Sequence, residues 1–406
     1  MGVPAQGICT PSVHATVEQS RRKAKHLLSA LFVVVGFTAE AQMSPTIVWQ
    51  SKATNSYILN PVAISPDGRV VATLGANNSV QIWSASNGVP LIALPGHGMW
   101  VGDLAFSPDG AWLASGSGDS SVRVWRTADW SLAYSIATTS QGPPVAFSPD
   151  SATLAIGSGT SIQLRRATNG ALFHSWIATS GWWMTALAFS PNGSKLASGA
   201  GARGIDTSLK IWEVPSGTMV RSVPTAQTYG IVRVVFSPDG QQVLTGGSDA
   251  MQSWRVSDGT LLRTFSDPAY AMAFSADGTV LASVWTDITF FRSSDGVLIQ
   301  KYSDGFASHT PGEKGIALTP ADGYFVRSRG FGEVLAGFVP VLVSAPSIES
   351  GQMMIRWVGG TGRYQLQRSF ELGGGWQDEG GVLSTNSVAI TPDTTNGFFR
   401  VVALPR

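Results

Sequence analysis

Histidines and carboxylates are the residues of this chain whose types could support catalysis or metal binding, but their spacing forms no motif. Of the five histidines, His97, His174 and His309 follow the first forty residues, and they are widely separated. No pair has metal-ligand spacing, and neither a Gly-x-Ser-x-Gly elbow nor a Gly-x-x-x-x-Gly-Lys loop occurs. The carboxylates fall mostly in repeated turns, so paired acid–base chemistry of the glycosidase type has no support. We therefore expect no catalytic residues, no metal ion and no cofactor.

Aromatic residues signal a second kind of chemistry, which is recognition by contact with a partner. Five of them lie seven or eight residues before a copy of a Ser-Pro-Asp-Gly-like motif: Tyr57, Trp100, Trp182, Trp183 and Tyr229. Arg203 lies in the longest insertion, 201–206. Tryptophan, tyrosine and arginine are enriched at binding hot spots. We predict that these six residues form a binding face, although Trp100 equally fits a residue that covers the structure beneath it.

The Ser-Pro-Asp-Gly-like motif recurs seven times along the chain and defines the architecture. Its first residue is Ser65, Ser107, Ser148, Ser190, Ser237, Ser275 and Thr319, at steps of 42, 41, 42, 47, 38 and 44 residues. A repeat of this length accommodates four short strands with their turns, which is one propeller blade. The sequence therefore predicts an all-β fold with a seven-bladed β-propeller. Equivalent loops emerge on one face of such a ring, so the aromatic residues should share a face.

Residues that recur in most copies are assigned to the scaffold. A tryptophan recurs in the predicted third strand as Trp83, Trp125, Trp212 and Trp254, and it is replaced by Phe291 in the sixth copy and by Arg165 in the third. A large flat side chain at one fixed place suits packing between blades. A residue that is repeated in every blade builds blades and does not mark a single site.

The second copy carries a resemblance to a known family. Gly96-His97-Gly98-Met99-Trp100-Val101, followed by Leu104-Ala105-Phe106-Ser107-Pro108-Asp109-Gly110, resembles the tryptophan-aspartate (WD) repeat propellers, and the resemblance covers about 290 residues. It implies a structural hydrogen-bond network of His97, Ser115, Asp119 and Trp125 in this blade. In the other copies the histidine is missing. The residue after the recurring tryptophan is never aspartate, so the repeats are divergent.

The ends of the repeat region predict the domain organisation. In this family one blade is completed by a strand from the opposite end of the chain, and residues 46–49 fit that role because the seventh copy lacks a fourth strand. We assign 1–41 to a leader, 42–340 to the propeller and 341–406 to a small β-sandwich. The stretch 364–369, with Trp376 and 398–401, resembles a fibronectin type III-like module of secreted bacterial proteins.

The leader predicts export and limits the classes of partner. Four basic residues between Arg21 and Lys25 precede an apolar stretch, 27–37, and Ala39-Glu40-Ala41 fits a peptidase site, so we expect a secretory signal peptide cleaved after Ala41. A twin-arginine signal is the alternative, and a start codon assigned too far upstream would explain the twenty residues before the basic cluster. Cys9 is the single cysteine, so the mature chain would have no disulfide. No basic run follows the leader, which argues against nucleic acid, and no later apolar stretch is long enough to span a membrane.

Two classes of function follow from these observations. The first is a non-catalytic binding or scaffold protein in the periplasm or outside the cell, most simply a monomer, that holds a protein, or else a glycan or small ligand. The second is an exported propeller enzyme such as a hydrolase, a lyase or a quinone-dependent oxidoreductase. We favour the first, and a structural surface protein is a less specific version of it. A propeller fold by itself does not decide the function.

Overall fold

A computed structural model gives the fold of the chain. It describes residues 47–52, 61–181, 183–201, 206–265, 267–302, 315–318, 324–329, 333–338, 342–343, 347–349, 352–358, 364–369, 377–378, 381–384, 387–390 and 398–403. Within these ranges every regular element is a β-strand except one 3-10 helix, Ala76–Asn78. None of the described residues belongs to a helix that is long and apolar enough to cross a membrane.

Strands β1 to β28 form seven four-stranded antiparallel sheets, which are the blades of a propeller. Blade 1 follows β1 (Ile47–Lys52) and contains β2 (Val62–Ile64), β3 (Val70–Leu74), β4 (Val80–Ser84) and β5 (Pro90–Leu94). Blade 2 contains β6 (Val101–Phe106), β7 (Trp112–Ser117), β8 (Ser121–Arg126) and β9 (Leu132–Ala137). Blade 3 contains β10 (Val145–Phe147), β11 (Thr153–Ser158), β12 (Ser161–Arg166) and β13 (Leu172–Ile177).

The remaining blades repeat this order. Blade 4 contains β14 (Met184–Phe189), β15 (Lys195–Ala200), β16 (Ser208–Glu213) and β17 (Met219–Pro224). Blade 5 contains β18 (Arg233–Phe236), β19 (Gln242–Gly246), β20 (Met251–Arg255) and β21 (Leu261–Phe265). Blade 6 contains β22 (Ala271–Phe274), β23 (Val280–Val284), β24 (Ile288–Arg292) and β25 (Leu298–Tyr302). Blade 7 contains β26 (Ile316–Leu318), β27 (Tyr324–Arg329) and β28 (Glu333–Phe338), together with β1. The prediction of an all-β, seven-bladed propeller is confirmed.

The Ser-Pro-Asp-Gly motif forms the turn between the first and second strands of a blade. In blade 1 the hydroxyl of Ser65 donates to Asp67 Oδ1 at 2.6 Å and accepts from the amide of Val70 at 3.0 Å. The amide of Arg69 donates to the same carboxylate oxygen at 3.0 Å, and Gly68 adopts φ +72° to close the turn. The serine hydroxyl makes the same pair of bonds in blades 2 to 6, at Ser107, Ser148, Ser190, Ser237 and Ser275. The motif is therefore a local hydrogen-bonded turn.

The hydrophobic core lies between neighbouring blades. Trp254 of blade 5 shares one buried cluster with Leu209 and Val223 of blade 4. Phe265 of blade 5 and Phe291 of blade 6 share another, with their rings edge to face at a centroid distance of 5.1 Å. Each interface between blades thus buries apolar side chains from both sheets, and this burial holds the ring together.

The ring closes through β1, the first strand among the described residues. Strand β1 pairs antiparallel with β28, from Ile47 opposite Gly337 to Lys52 opposite Glu333, so it supplies the outermost strand of blade 7. The innermost strands contact one another in order around the ring, and β26 contacts β2. Pairing the two ends of the propeller in one sheet removes the exposed edge that β28 would otherwise present.

Among the described residues, seven further strands follow the propeller. They are β29 (Leu342–Val343), β30 (Ser347–Glu349), β31 (Gln352–Val358), β32 (Tyr364–Ser369), β33 (Gln377–Asp378), β34 (Ser387–Ile390) and β35 (Phe398–Ala403). Strand β31 pairs with β29, β30 and β34, and β32 pairs with β33 and β35. Strands β32 and β35 include the stretches 364–369 and 398–401 that the sequence analysis compares with a fibronectin type III-like module, whereas Trp376 lies outside the described residues.

Candidate binding face

The connections of the blades fall on two opposite faces of the ring. Because the four strands are antiparallel, the turn between strands two and three lies on the same side as the link to the next blade. We call this side the loop face. The opposite side, which we call the turn face, carries the Ser-Pro-Asp-Gly turns and the turns between strands three and four. By this topology the links that carry Trp100, Trp183 and Tyr229 belong to the loop face.

The loop face of blade 2 is held by a chain of buried side chains. His97 Nδ1 lies 3.0 Å from Asp119 Oδ2, and its Nε2 lies 2.8 Å from Ser115 Oγ. Trp125 Nε1 donates to the same Ser115 oxygen at 3.1 Å. Asp119 also accepts from the amide of Gly98 at 2.8 Å. The structure therefore brings His97, Ser115, Asp119 and Trp125 together, and the chain ties the link between blades 1 and 2 to strands β7 and β8.

The electrostatics of this chain favour a neutral histidine beside an ionised aspartate. Burial lowers the pKa of His97 below its usual 6.5, and this effect outweighs the hydrogen bond and negative charge of Asp119, which act in the opposite direction. Burial also opposes ionisation of Asp119, but hydrogen bonds from Ser121, Gly98 and His97 bring its pKa down to about 2. A proton on His97 Nδ1 satisfies every contact, because Nε2 then accepts from Ser115. Both ring nitrogens are used inside the blade.

The recurring tryptophans make the same bond in three other blades. Trp83 Nε1 donates to Thr73 Oγ1 at 2.8 Å, Trp212 Nε1 to Ser198 Oγ at 2.9 Å, and Trp254 Nε1 to Thr245 Oγ1 at 3.1 Å. All four indoles, including that of Trp125, are buried between blades. Each one fills apolar space and finds a hydroxyl acceptor on the neighbouring strand. These tryptophans support the ring and do not reach the loop face.

Trp100 is part of the loop face but is only partly exposed, because its indole lies on three glycines. A Cβ atom placed at Gly102, Gly118 or Gly142 would come within 2.5, 2.7 and 2.6 Å of the indole ring. Only residues without a side chain allow the ring to approach the backbone this closely. The geometry favours the reading in which Trp100 covers blade 2 and the link to blade 3.

Two of the other predicted binding residues are exposed. Trp183 lies in the link between blades 3 and 4 and is 44% exposed, and Tyr229 lies in the link between blades 4 and 5 and is 51% exposed. The amide of Thr228, next to Tyr229, donates to Asp249 Oδ2 at 2.6 Å. This bond fixes the link in the same way as the bond from the Gly98 amide to Asp119 in blade 2. Tyr57, Trp182 and Arg203 lie outside the described residues.

A stacked aromatic pair on blade 6 extends this face and was missed from the sequence. Tyr270, in the link between blades 5 and 6, stacks on Trp285, in the turn after β23, with centroids 4.4 Å apart and planes inclined by 24°. Burial, together with the charge of Asp249, raises the pKa of the Tyr270 phenol. Lys301 lies 3.0 Å from Asp267 and 3.5 Å from Asp287 beside the pair. Tyr270 stands five residues before Ser275, so the spacing of seven or eight did not select it.

A second feature missed from the sequence crosses the axis of the ring. Asp103, on the innermost strand of blade 2, accepts from Arg233 Nη1 at 3.1 Å, and Arg233 begins the innermost strand of blade 5. Asp103 also accepts from the amide of Val145 at 3.0 Å. Because blades 2 and 5 are three places apart in a ring of seven, this ion pair spans the central channel near its opening on the loop face.

Comparison with known protein families agrees with this architecture. The family described as WD domain, G-beta repeat matches residues 88–126 and 171–213. Each match starts just before the fourth strand of one blade and ends with the third strand of the next. No curated protein matches the chain. The two matches and the seven four-stranded sheets support a seven-bladed propeller of the WD-repeat type, a fold consistent with a binding or scaffold role.

The structure offers no ready metal centre within the ranges it describes. No group of three or more histidine, cysteine, aspartate or glutamate side chains is arranged there to hold an ion. The acidic residues of the loop face are instead engaged in hydrogen bonds or ion pairs with their neighbours: Asp119 with His97, Asp249 with Thr228, and Asp267 with Lys301. The exposed aromatic surface of this face includes Trp183 and Tyr229.

Proposed function

We propose that this protein is an exported, non-catalytic binding or scaffold propeller that holds a partner protein on its loop face. The observation that carries the proposal is the row of aromatic residues on three consecutive links. Trp183, Tyr229 and Tyr270 precede the first strands of blades 4, 5 and 6, and the first two are about half exposed. Tryptophan and tyrosine supply large contact areas at a small cost in conformational entropy, so they dominate protein interfaces.

The support beneath these residues favours recognition without rearrangement. The link that carries Tyr229 is fixed by Asp249, and Tyr270 is fixed by its stack with Trp285. Aromatic groups that are already ordered lose little freedom on binding, which raises the affinity of a given contact area. WD-repeat propellers typically bind proteins, so a protein partner is the natural occupant of such a face.

Export and attachment belong to the same proposal. The basic cluster from Arg21 to Lys25, followed by the apolar stretch 27–37, supports a secretory signal peptide, and the mature protein would act in the periplasm or outside the cell. The strands after residue 341 support a small β-sandwich, similar to a fibronectin type III module, which would space or attach the propeller. The binding face and this module would then serve separate roles in one chain.

The test is affinity capture with a loop-face variant and a matched control. Mature protein, 42–406, is used to capture partners from envelope and extracellular fractions beside the variant W183A/Y229A. The control is L172A/L298A, because Leu172 and Leu298 are 50% and 53% exposed at the first positions of outermost strands, next to the turn face.

A single hot-spot residue contributes at least about 2 kcal/mol, so the loss of one such residue in the loop-face variant is enough to weaken binding of its partner at least about 30-fold. The control should retain full affinity, and both variants should melt within a few degrees of the wild type because the replaced side chains are half exposed. A partner that binds the loop-face variant as tightly as the wild type would exclude this face as the binding surface.

A further inference from the structure

Blade 6 departs from the other blades at two positions that face blade 5. Phe291 occupies the place that tryptophan takes in blades 1, 2, 4 and 5. Two residues further on, Ser293 replaces an apolar residue such as Val256 of blade 5, which packs in the buried cluster between blades 4 and 5. Both changes reduce the apolar volume that blade 6 contributes to its interface with blade 5.

A cleft of about 280 Å³ lies between blades 5 and 6, and Ser293 is one of the residues that line it. Phe265, Phe274 and Leu281 are among the apolar residues that line it, and Ser293 and Ser294 form its edge in the turn between β24 and β25. This turn belongs to the turn face, so the cleft is separate from the aromatic residues of the loop face. Its volume is close to the lower end of the range for small-molecule sites, which begins at roughly 300 Å³.

Arg263 lines the same cleft and is held in place without an anionic partner. Its guanidinium lies 5.8 Å from the centroid of the Phe265 ring. A Cβ atom placed at Gly296 would lie only 2.2 Å from the Nη1 atom of Arg263, so the side chain packs directly on this glycine. Within the described part of the chain, the Arg263 side chain has no carboxylate and no hydrogen-bond acceptor. Five N–H donors of a fixed cation are thus available at the side of an apolar cleft.

The equivalent arginine of blade 4 shows what blade 5 lacks. Arg221 occupies the same place in β17 that Arg263 occupies in β21, and its Nη2 donates to the carbonyl oxygen of Ser257 in the adjacent turn of blade 5 at 2.9 Å. The corresponding turn of blade 6 contains Ser294, which lines the cleft. Arg263 therefore remains available where Arg221 is used to join two blades.

We propose that this cleft binds a small amphipathic carboxylate, such as an aryl-alkanoic acid. Its apolar part would pack against Phe265, Phe274 and Leu281, and its carboxylate would accept from Arg263, whose planar donor set matches a carboxylate in a bidentate arrangement. Small-molecule sites usually combine apolar side chains with a few polar groups that orient the ligand, and this cleft combines Phe265, Phe274 and Leu281 with Arg263; Gln242, Ser253, Ser293 and Ser294 complete its polar lining.

The test uses 3-phenylpropanoate as the probe and isothermal titration calorimetry on the mature protein. We expect a dissociation constant of the order of 1 mM or lower. The uncharged analogue 3-phenylpropanamide should bind at least about tenfold more weakly, and R263Q should weaken binding of the acid by a similar factor. R221Q is the matched control, because it removes the equivalent arginine from blade 4, and it should leave the affinity unchanged.

A filling variant tests whether the probe lies in the cleft. F291W places a larger ring against Phe265, which lines the cleft, and by analogy with Trp254 and Thr245 it directs an indole N–H toward Ser283, so it should raise the melting temperature while weakening binding. S293V fills the cleft from the other side and should weaken binding if F291W does not fold. The proposal is overturned if the wild type does not bind the acid, if the acid and the amide bind equally, or if a folded filling variant binds as tightly as the wild type.

Discussion

Replacement of His97 tests whether the buried chain in blade 2 is structural and whether its histidine is neutral. In H97A the carboxylate of Asp119 loses one donor, Ser115 loses the acceptor at 2.8 Å, and the space of a fully buried imidazole is left empty. A hydrogen bond to a charged group contributes about 1.5–3 kcal/mol and a neutral one about 0.5–1.5 kcal/mol. We expect a loss of about 3–4 kcal/mol at pH 7.5.

The pH dependence of this loss is the sharper part of the prediction. The pKa of His97 is lowered in the folded protein by burial, so the unfolded chain binds a proton near pH 6.5 that the folded chain does not. Stability that depends on neutral His97 is therefore present above pH 6.5 and is lost as the pH falls below it, by up to about 1.4 kcal/mol per pH unit. Asp119, with a pKa of about 2, stays ionised over this range.

The assay is urea unfolding of the propeller between pH 7.5 and 5.5, with H97N as a control that keeps an N–H donor for Asp119 but does not titrate. The difference in unfolding free energy between the wild type and either variant should shrink as the pH falls. A difference that stays constant would mean that His97 does not change its charge state on unfolding in this range. A difference that grows would show that the folded protein holds a protonated histidine paired with Asp119, which would refute the reasoning.

Three further changes test the scaffold. A chain that begins at Asn55 lacks β1 and its five register pairs with β28, so it should lose about 5 kcal/mol and melt well below the full mature chain; an unchanged melting temperature would contradict the closure. W212F removes the buried bond to Ser198 and should lower the urea midpoint by an amount equivalent to about 2 kcal/mol, and S198A in the same chain should recover part of it. G118A places a methyl group against the Trp100 indole and should lower the free energy of unfolding, measured by thermal denaturation, by about 1–3 kcal/mol. The double variant G118A/W100A should lose less stability than the sum of the two single variants.

The repeated parts of the fold could be predicted from the sequence because each is determined locally. The turn that contains Ser65 and Asp67 makes all its bonds within six residues, so its motif is complete in a single stretch of chain. The same holds for the hydroxyl that each tryptophan bonds, nine to fourteen residues earlier in the sequence. Because these local patterns recur seven times, they predict both the four-stranded blade and the number of blades in the ring.

The parts that could not be predicted depend on contacts between different blades. Asp103 and Arg233 are 130 residues apart, and nothing in either local sequence selects the other. Tyr270 and Trp285 are close in sequence, but their stacking depends on how the link between blades 5 and 6 meets the turn after β23. The packing of Trp100 is a third case, because its indole lies on three glycines that belong to separate segments of the chain. Such contacts depend on how the blades pack in the ring, and the spacing of the sequence repeat does not reveal them.

The bond between tryptophan and hydroxyl indicates where to look for function in the divergent blades. In blade 3 both partners have changed, to Arg165 and Ile156, and in blade 7 the corresponding residues are Gly337 and Arg327. Paired changes of this kind leave no hydroxyl without its indole. Blade 6 keeps Ser283 but has phenylalanine opposite Leu281, where an indole would stand, and this is the blade that borders the cleft. At this half-changed pair Phe291 packs edge to face against Phe265, and Phe265 in turn lines the cleft, so the departure from the tryptophan pattern lies next to the proposed site.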